Sequence, residues 1–100
     1  MEFKSSREGD DLVIALAGTL TFDDHENFRA VVTLITDTDT GMVVLDLSAL
    51  TMIDSAGIGM LLLANDRGAK QGKAMRLRGV TGHVAKVVEL SKIEQLIPID

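Results

Sequence analysis

The sequence contains no cysteine, tryptophan or tyrosine, a single proline and only three phenylalanines in 100 residues. Without cysteine there can be no disulfide framework, no thiolate zinc site and no thiol redox chemistry, a composition that fits a reducing compartment. With so few aromatic rings, the core has to be packed from aliphatic side chains. No uninterrupted apolar run approaches the ~20 residues needed to cross a bilayer. Met1-Glu2-Phe3-Lys4 does not open a signal peptide either, so a cytoplasmic protein with no membrane insertion is expected. Positive charge is scarce as well. The formal net charge is −5, and Arg67, Lys70, Lys73, Arg76, Arg78, Lys86 and Lys92 are scattered rather than gathered into a stripe. Nucleic-acid binding depends on clustered cations that neutralise phosphates, so no DNA or RNA partner is expected.

What the chain does have is aliphatic residues, at 46% hydrophobic overall. At this length, with domains most often about 100–150 residues, the expectation is one domain over residues 1–100. Met1–Arg7 and Asp11–Ala17 read as two strands joined by the turn residues Glu8-Gly9-Asp10, a hairpin. Gly18 ends the second strand. Asp23, with Glu26 three residues later, has the spacing of a capping box and predicts the start of a first helix. Phe28, Val31, Val32 and Ile35 then mark a single core face. Met42 to Leu47 is nearly continuous in apolar residues, the pattern of a strand covered on both faces by helices. After a connection over Ser48–Ile53, a second helix runs from about Ala56 to Gln71. Ile58, Leu61, Leu62, Asn65 and Ala69 fall on its inward side. Met60 and Leu63 lie among Asp66, Arg67 and Lys70, so both are predicted to face solvent. Ala74–Arg78 forms a fourth strand ending at Gly79, Thr81 can cap a third helix, and Ile93–Ile99 is a candidate last strand. The class is α/β: an N-terminal β-hairpin leading into a mixed β-sheet covered by helices.

Between the central strand and the second helix stands Asp54-Ser55-Ala56-Gly57-Ile58-Gly59. A small polar residue at a helix start accepts a backbone N–H that the first turn leaves unpaired, which makes Ser55 a candidate cap. It also stands where the helix dipole and free N–H groups stabilise an anion by about 0.3–2 kcal/mol. Asp54 is either a turn residue with local hydrogen bonds or a functional residue that positions the serine or contacts the nucleotide–metal site of an enzyme acting on it. Gly57 and Gly59 would permit close backbone approach, by a neighbouring strand or by a docking surface. They do not form a phosphate loop, because no lysine follows at the required spacing. Strand, turn, serine and helix is also how hydrolases present a nucleophile, but the motif Gly-x-Ser-x-Gly is broken by Ile53. His25 and His83 read as surface residues near helix starts. Asp23, Asp24, Asp37 and Asp39 lack the ligand spacing of a calcium loop. No enzyme activity, metal or cofactor is expected.

Asp46-Leu47, followed by Asp54-Ser55-Ala56-Gly57-Ile58-Gly59, closely resembles the STAS domain and, within it, the anti-sigma-factor antagonists. Weaker matches extend to Gly18-Thr19-Leu20-Thr21, Leu77-Arg78-Gly79-Val80 and Leu90-Ser91-Lys92-Ile93. The resemblance implies that Ser55 is phosphorylated by a serine protein kinase/anti-sigma factor of the histidine-kinase-like ATPase type and restored by a serine phosphatase. It implies a partner-binding surface of Thr21, Asp23, Asp54, Ser55, Ala56, Gly57, Ile58, Gly59, Met60 and Leu63 on a monomer or weak dimer. Thr21 stands where many family members carry an acidic residue. The alternative implied by the same family is a scaffold or subunit of a signalling or lipid-transport assembly, with Ser55 as a docking contact only.

Overall fold

The hairpin forms where the turn residues predict it. Strands β1 (Glu2–Glu8) and β2 (Asp11–Leu20) pair antiparallel from Glu2↔Ala17 to Glu8↔Asp11, leaving Gly9 and Asp10 to reverse the chain. Gly9 adopts φ +60, the left-handed conformation that tight hairpin turns demand and that glycine reaches without steric cost. The computed structural model describes residues 1–100. Beyond the hairpin the chain alternates helix and strand: α1 (His25–Asp37), β3 (Met42–Ile53), α2 (Ser55–Lys70), β4 (Ala74–Arg78) and α3 (Gly82–Ser91). Short 3-10 turns occupy Phe22–Asp24 and Ile93–Gln95.

The sheet order is β1-β2-β3-β4, with β2, β3 and β4 parallel. Each crossover steps to the next strand in the same direction across the sheet. Right-handed connections therefore put α1 and α2 on the same face. The buried side chains agree. Leu12, Ile14 and Leu16 of β2 and Val43, Leu45 and Leu47 of β3 join Phe28, Val31 and Ile35 of α1 and Leu61 of α2 in one cluster. Val84 and Val88 of α3 belong to it too. Val13 and Val44 alternate to the opposite face and stand outside that cluster, although both are buried. The expectation of helices on both faces of β3 is thus corrected. Val44 is shielded within the sheet, flanked in register by Val13 and Arg76, so an unbroken apolar run did not require a second helical layer.

Four local readings of the sequence also differ from the structure. β3 does not stop at Leu47, because β2 continues past Gly18 to Leu20 and supplies partners as far as Leu20↔Ile53. Gly18 does not end β2; at φ +88 it sits beside a register shift that lets the pairing continue. The first helix does not open on an Asp23–Glu26 box. A 3-10 turn comes first, and its acid is Asp24, whose Oδ2 accepts the Thr21 N–H at 2.8 Å. Finally, Ile93–Ile99 is not a strand. It is a 3-10 turn followed by one bridge, in which the Leu77 N–H donates to the Pro98 carbonyl and the Asp100 N–H to the Leu77 carbonyl, both at 2.8 Å.

On the open face, Arg78 ties three strands together. Its guanidinium donates to both Glu8 carboxylate oxygens at 3.1 and 2.9 Å and to Asp46 Oδ2 at 3.2 Å. Hydrogen bonding from Ser48 and then the Arg78 guanidinium hold the Asp46 carboxyl below its usual pKa despite partial burial. Burial works to raise Asp24, but the Thr21 N–H and the amino-terminal ammonium of Met1 outweigh it, and Asp24 is lowered too. A carboxyl that is more acidic when folded stabilises fully above its unfolded pKa of about 3.9 and loses that contribution as pH falls through the lower folded value. Urea unfolding should therefore show full stability near neutrality and a loss at acid pH below that range. Asp46→Asn should flatten part of the acid limb; an unchanged limb would show that Asp46 is not among the groups responsible.

Candidate functional site

α2 begins where β3 ends, and its first turn needs acceptors for its free N–H groups. The acceptor is Asp54, not Ser55. With extended backbone at φ −111 and ψ −176, Asp54 is the N-cap, and its Oδ1 accepts the Gly57 N–H at 2.8 Å. Its Oδ2 accepts the Phe22 N–H at 3.2 Å, which ties the helix start to the 3-10 turn after β2. Of the two roles open to Asp54, the structural one is therefore in place. The predicted cap at Ser55 is corrected: Ser55 is the first helical residue, and its hydroxyl makes no hydrogen bond within the chain. The physical reason is geometric. The cap must precede the helix in extended backbone, and Asp54 occupies that position.

This division of labour separates two substitutions. Asp54→Ala removes both hydrogen bonds and should cost about 1–3 kcal/mol. Ser55→Ala removes none and should change stability by less than about 0.5 kcal/mol. Chemical denaturation of the two variants distinguishes them; equal losses would mean that Ser55 shares the cap.

The remaining sequence-predicted residues divide between support and surface. Gly57 is buried, and a Cβ there would collide with the Leu20 carbonyl oxygen and approach Ile53 Cγ1 to 2.6 Å, so of the two approaches this glycine allows, a neighbouring strand makes it. Gly59 is exposed, and a Cβ there would meet nothing. Ile58 is buried and Ala56 half-buried. Thr21 is half-buried beside Asp24, while Asp23 is exposed. Leu63 faces solvent as predicted, at 43% exposure, but Met60 is only 3% exposed. The helical wheel misplaced Met60 because it counts one inward direction, toward the sheet. α2 has a second neighbour in α1, and both helices line a common groove with Met60 in its floor.

Ser55, Gly59, Leu63 and Arg67, each four residues from the last, form an exposed ridge along α2. At 1.5 Å per residue, Ser55 and Leu63 stand about 12 Å apart along the axis. Two exposed apolar side chains extend this surface beyond the serine: Phe22, 71% exposed and joined by its N–H to Asp54, and Met52, 44% exposed and three residues before Ser55. The sequence reading missed both. Met52 falls within the stretch expected to be a connection, Phe22 immediately precedes the Asp23 start expected for the first helix, and no periodicity marks an apolar residue left uncovered.

His25 does not serve Ser55: its Nδ1 bonds the Phe22 carbonyl oxygen at 2.8 Å, and its ring meets Phe22 edge-on at 5.4 Å. No three His, Asp or Glu side chains converge as a metal site would require. No helix is long and apolar enough to cross a membrane.

The family model described as "Mlab, STAS domain" matches residues 3–98. The chain belongs to the STAS domain family. A STAS-domain containing protein of Pseudomonas aeruginosa (strain UCBPP-PA14) is 33% identical over 94 residues, 94% of this chain and 92% of that protein. Among solved structures, an anti-sigma factor antagonist from Mycobacterium paratuberculosis superposes with a TM-score of 0.86 at 13% identity, covering 98% of this chain and 83% of that one. The anti-sigma factor antagonist SpoIIAA in its unphosphorylated form gives a TM-score of 0.66 at 22% identity, covering 89% and 83%. At these identities the structural likeness concerns the fold, and this STAS domain shares its fold with the antagonists.

Proposed function

We propose that this STAS domain is a partner-switching regulator of the anti-sigma-factor-antagonist type. The observation that carries the reading is the state of Ser55: exposed, with its hydroxyl free of side-chain hydrogen bonds, at the N-terminus of a packed helix whose exposed ridge runs on to Leu63, and with the exposed Met52 three residues before it and the exposed Phe22 bonded to its neighbour Asp54. A serine engaged only in structure would be expected to use its hydroxyl. This one leaves capping to its neighbour.

Unphosphorylated, the α2 ridge docks on a kinase or anti-sigma-like regulator and displaces that regulator's other client. A histidine-kinase-like serine kinase transfers the γ-phosphoryl group of ATP to Ser55 Oγ and releases ADP; a serine phosphatase reverses it by hydrolysis. The phosphate adds a charge of about −1.5 to −2. The helix N-terminus tolerates that charge, so the fold survives. A docked partner does not, because an unpaired dianion would be desolvated beside Asp54 and an apolar contact. The domain itself binds rather than catalyses.

The test is a phosphate-affinity gel of the protein recovered from its host, with the modified residue located by mass spectrometry. Phosphate on Ser55 is expected; phosphate mainly on Ser48, Thr51 or Ser91 would sink the proposal. Ser55→Asp should weaken partner binding by at least about tenfold, an ordinary cost for misplaced charge at an interface, while Ser55→Ala binds normally. An unmodified protein under all growth conditions, with equal affinity for both variants, would instead indicate a constitutive scaffold or assembly subunit.

A further inference from the structure

We propose that the groove between α1 and α2 receives an acidic amphipathic helix of the partner protein, an inference that deepens the reading of α2 as the docking helix. The groove measures about 540 Å³. Its floor is apolar, with Met60 and Phe28 buried, Val32 half-buried and Leu63 exposed at the edge. Two helices packed side by side leave a furrow of the kind into which a third helix lays apolar residues spaced three and four apart.

Charge selects the occupant. His25, Arg29 and Arg67 line the groove against one acid, Glu26, on a chain whose net charge is −5. Arg67 has no acidic partner within ion-pair distance, whereas Lys70, one turn away, is held by Asp66 at 3.2 Å. Arg29 reaches only Glu26, at 4.0 Å between exposed groups. One unpaired guanidinium, Arg67, and one held only loosely, Arg29, on either side of an apolar floor fit carboxylates on the flanks of an apolar stripe. A basic helix would meet them with like charge.

The test uses the full chain, isotopically labelled, and a synthetic helical peptide of about 16 residues with leucines at i, i+3, i+4 and i+7 and glutamates on both flanks. Its control carries lysine in place of every glutamate. Amide shifts confined to α1 and α2, and at least about tenfold tighter binding of the acidic peptide, are expected. Arg29→Glu combined with Arg67→Glu should reverse that preference; both residues are exposed, and a thermal melt confirms the fold. Equal affinity for the two peptides, no binding of the acidic one, or shifts centred on β1 or α3 would overturn the proposal. Ser55→Asp should leave the acidic peptide's affinity within about twofold, since the serine stands ~12 Å from Leu63 along the helix. The groove and the phosphorylation switch can therefore fail separately.

Discussion

Gly57→Ala is expected to lower the unfolding free energy by about 3–5 kcal/mol, a large part of the ~5–15 kcal/mol that holds a typical domain together. Gly59→Ala, two residues on in the same helix, should raise it by about 0.5–1 kcal/mol. The two glycines share a motif and a helical turn but not an environment. A Cβ at Gly57 would overlap the Leu20 carbonyl oxygen and crowd Ile53 Cγ1 at 2.6 Å. That carbonyl cannot move aside cheaply, because it accepts the Asp54 N–H at 3.3 Å and terminates the β2–β3 pairing. Relieving the clash would push α2 off the sheet and disturb its cap. At Gly59 the added methyl meets open space, and the helix gains from alanine's lower backbone entropy cost. Urea denaturation of both variants measures the difference, and similar stabilities would show that the end of β2 gives way. Gly59→Ala also probes the proposed docking face without a folding artefact: a partner that seats closely over Ser55 should lose affinity for it.

The second large effect separates Met60 from Leu63. Met60→Ser should cost about 2–5 kcal/mol, the range for emptying a buried methionine site, with a hydroxyl left in apolar surroundings. Leu63→Ser should cost less than about 1 kcal/mol, since its side chain is already half in water. Partner affinity should follow the opposite order once folded protein is compared: an exposed leucine on the α2 ridge can anchor a contact, whereas Met60, already 3% exposed in the groove floor, has little surface left to bury. Thermal unfolding combined with calorimetric titration reads both quantities. A large stability loss in Leu63→Ser would place that residue in the core and move the docking surface elsewhere.

These residues show which parts of the protein could be read from its sequence. The hairpin around Gly9, the single core face of α1 at Phe28, Val31 and Ile35, the order of strands and helices, and the Asp54–Gly59 motif were all legible. Each depends on turn chemistry, on a period of 2 or 3.6, or on a short local pattern, and such signals stay within a few residues of the positions they describe. Most of the docking candidates were likewise adjacent in sequence, because a helix start gathers them without help from the rest of the fold.

What only the tertiary structure decided depends on residues far apart in the chain. β3 continues to Ile53 because β2, some thirty residues earlier, still offers backbone partners there. One face of the sheet is open because two right-handed crossovers step the same way, while the continuity of the apolar run in β3 carries no record of which side its helices take. Asp54 rather than Ser55 caps α2, and its second oxygen is committed to Phe22, a contact set by how the turn after β2 folds back. Met60 is buried and Leu63 is not because α1 covers one flank of α2, and a helical wheel drawn for an isolated helix has no term for a neighbour. Sequence periodicity specifies which face of an element is apolar; the packing of distant elements determines which of those apolar groups remain exposed to a partner.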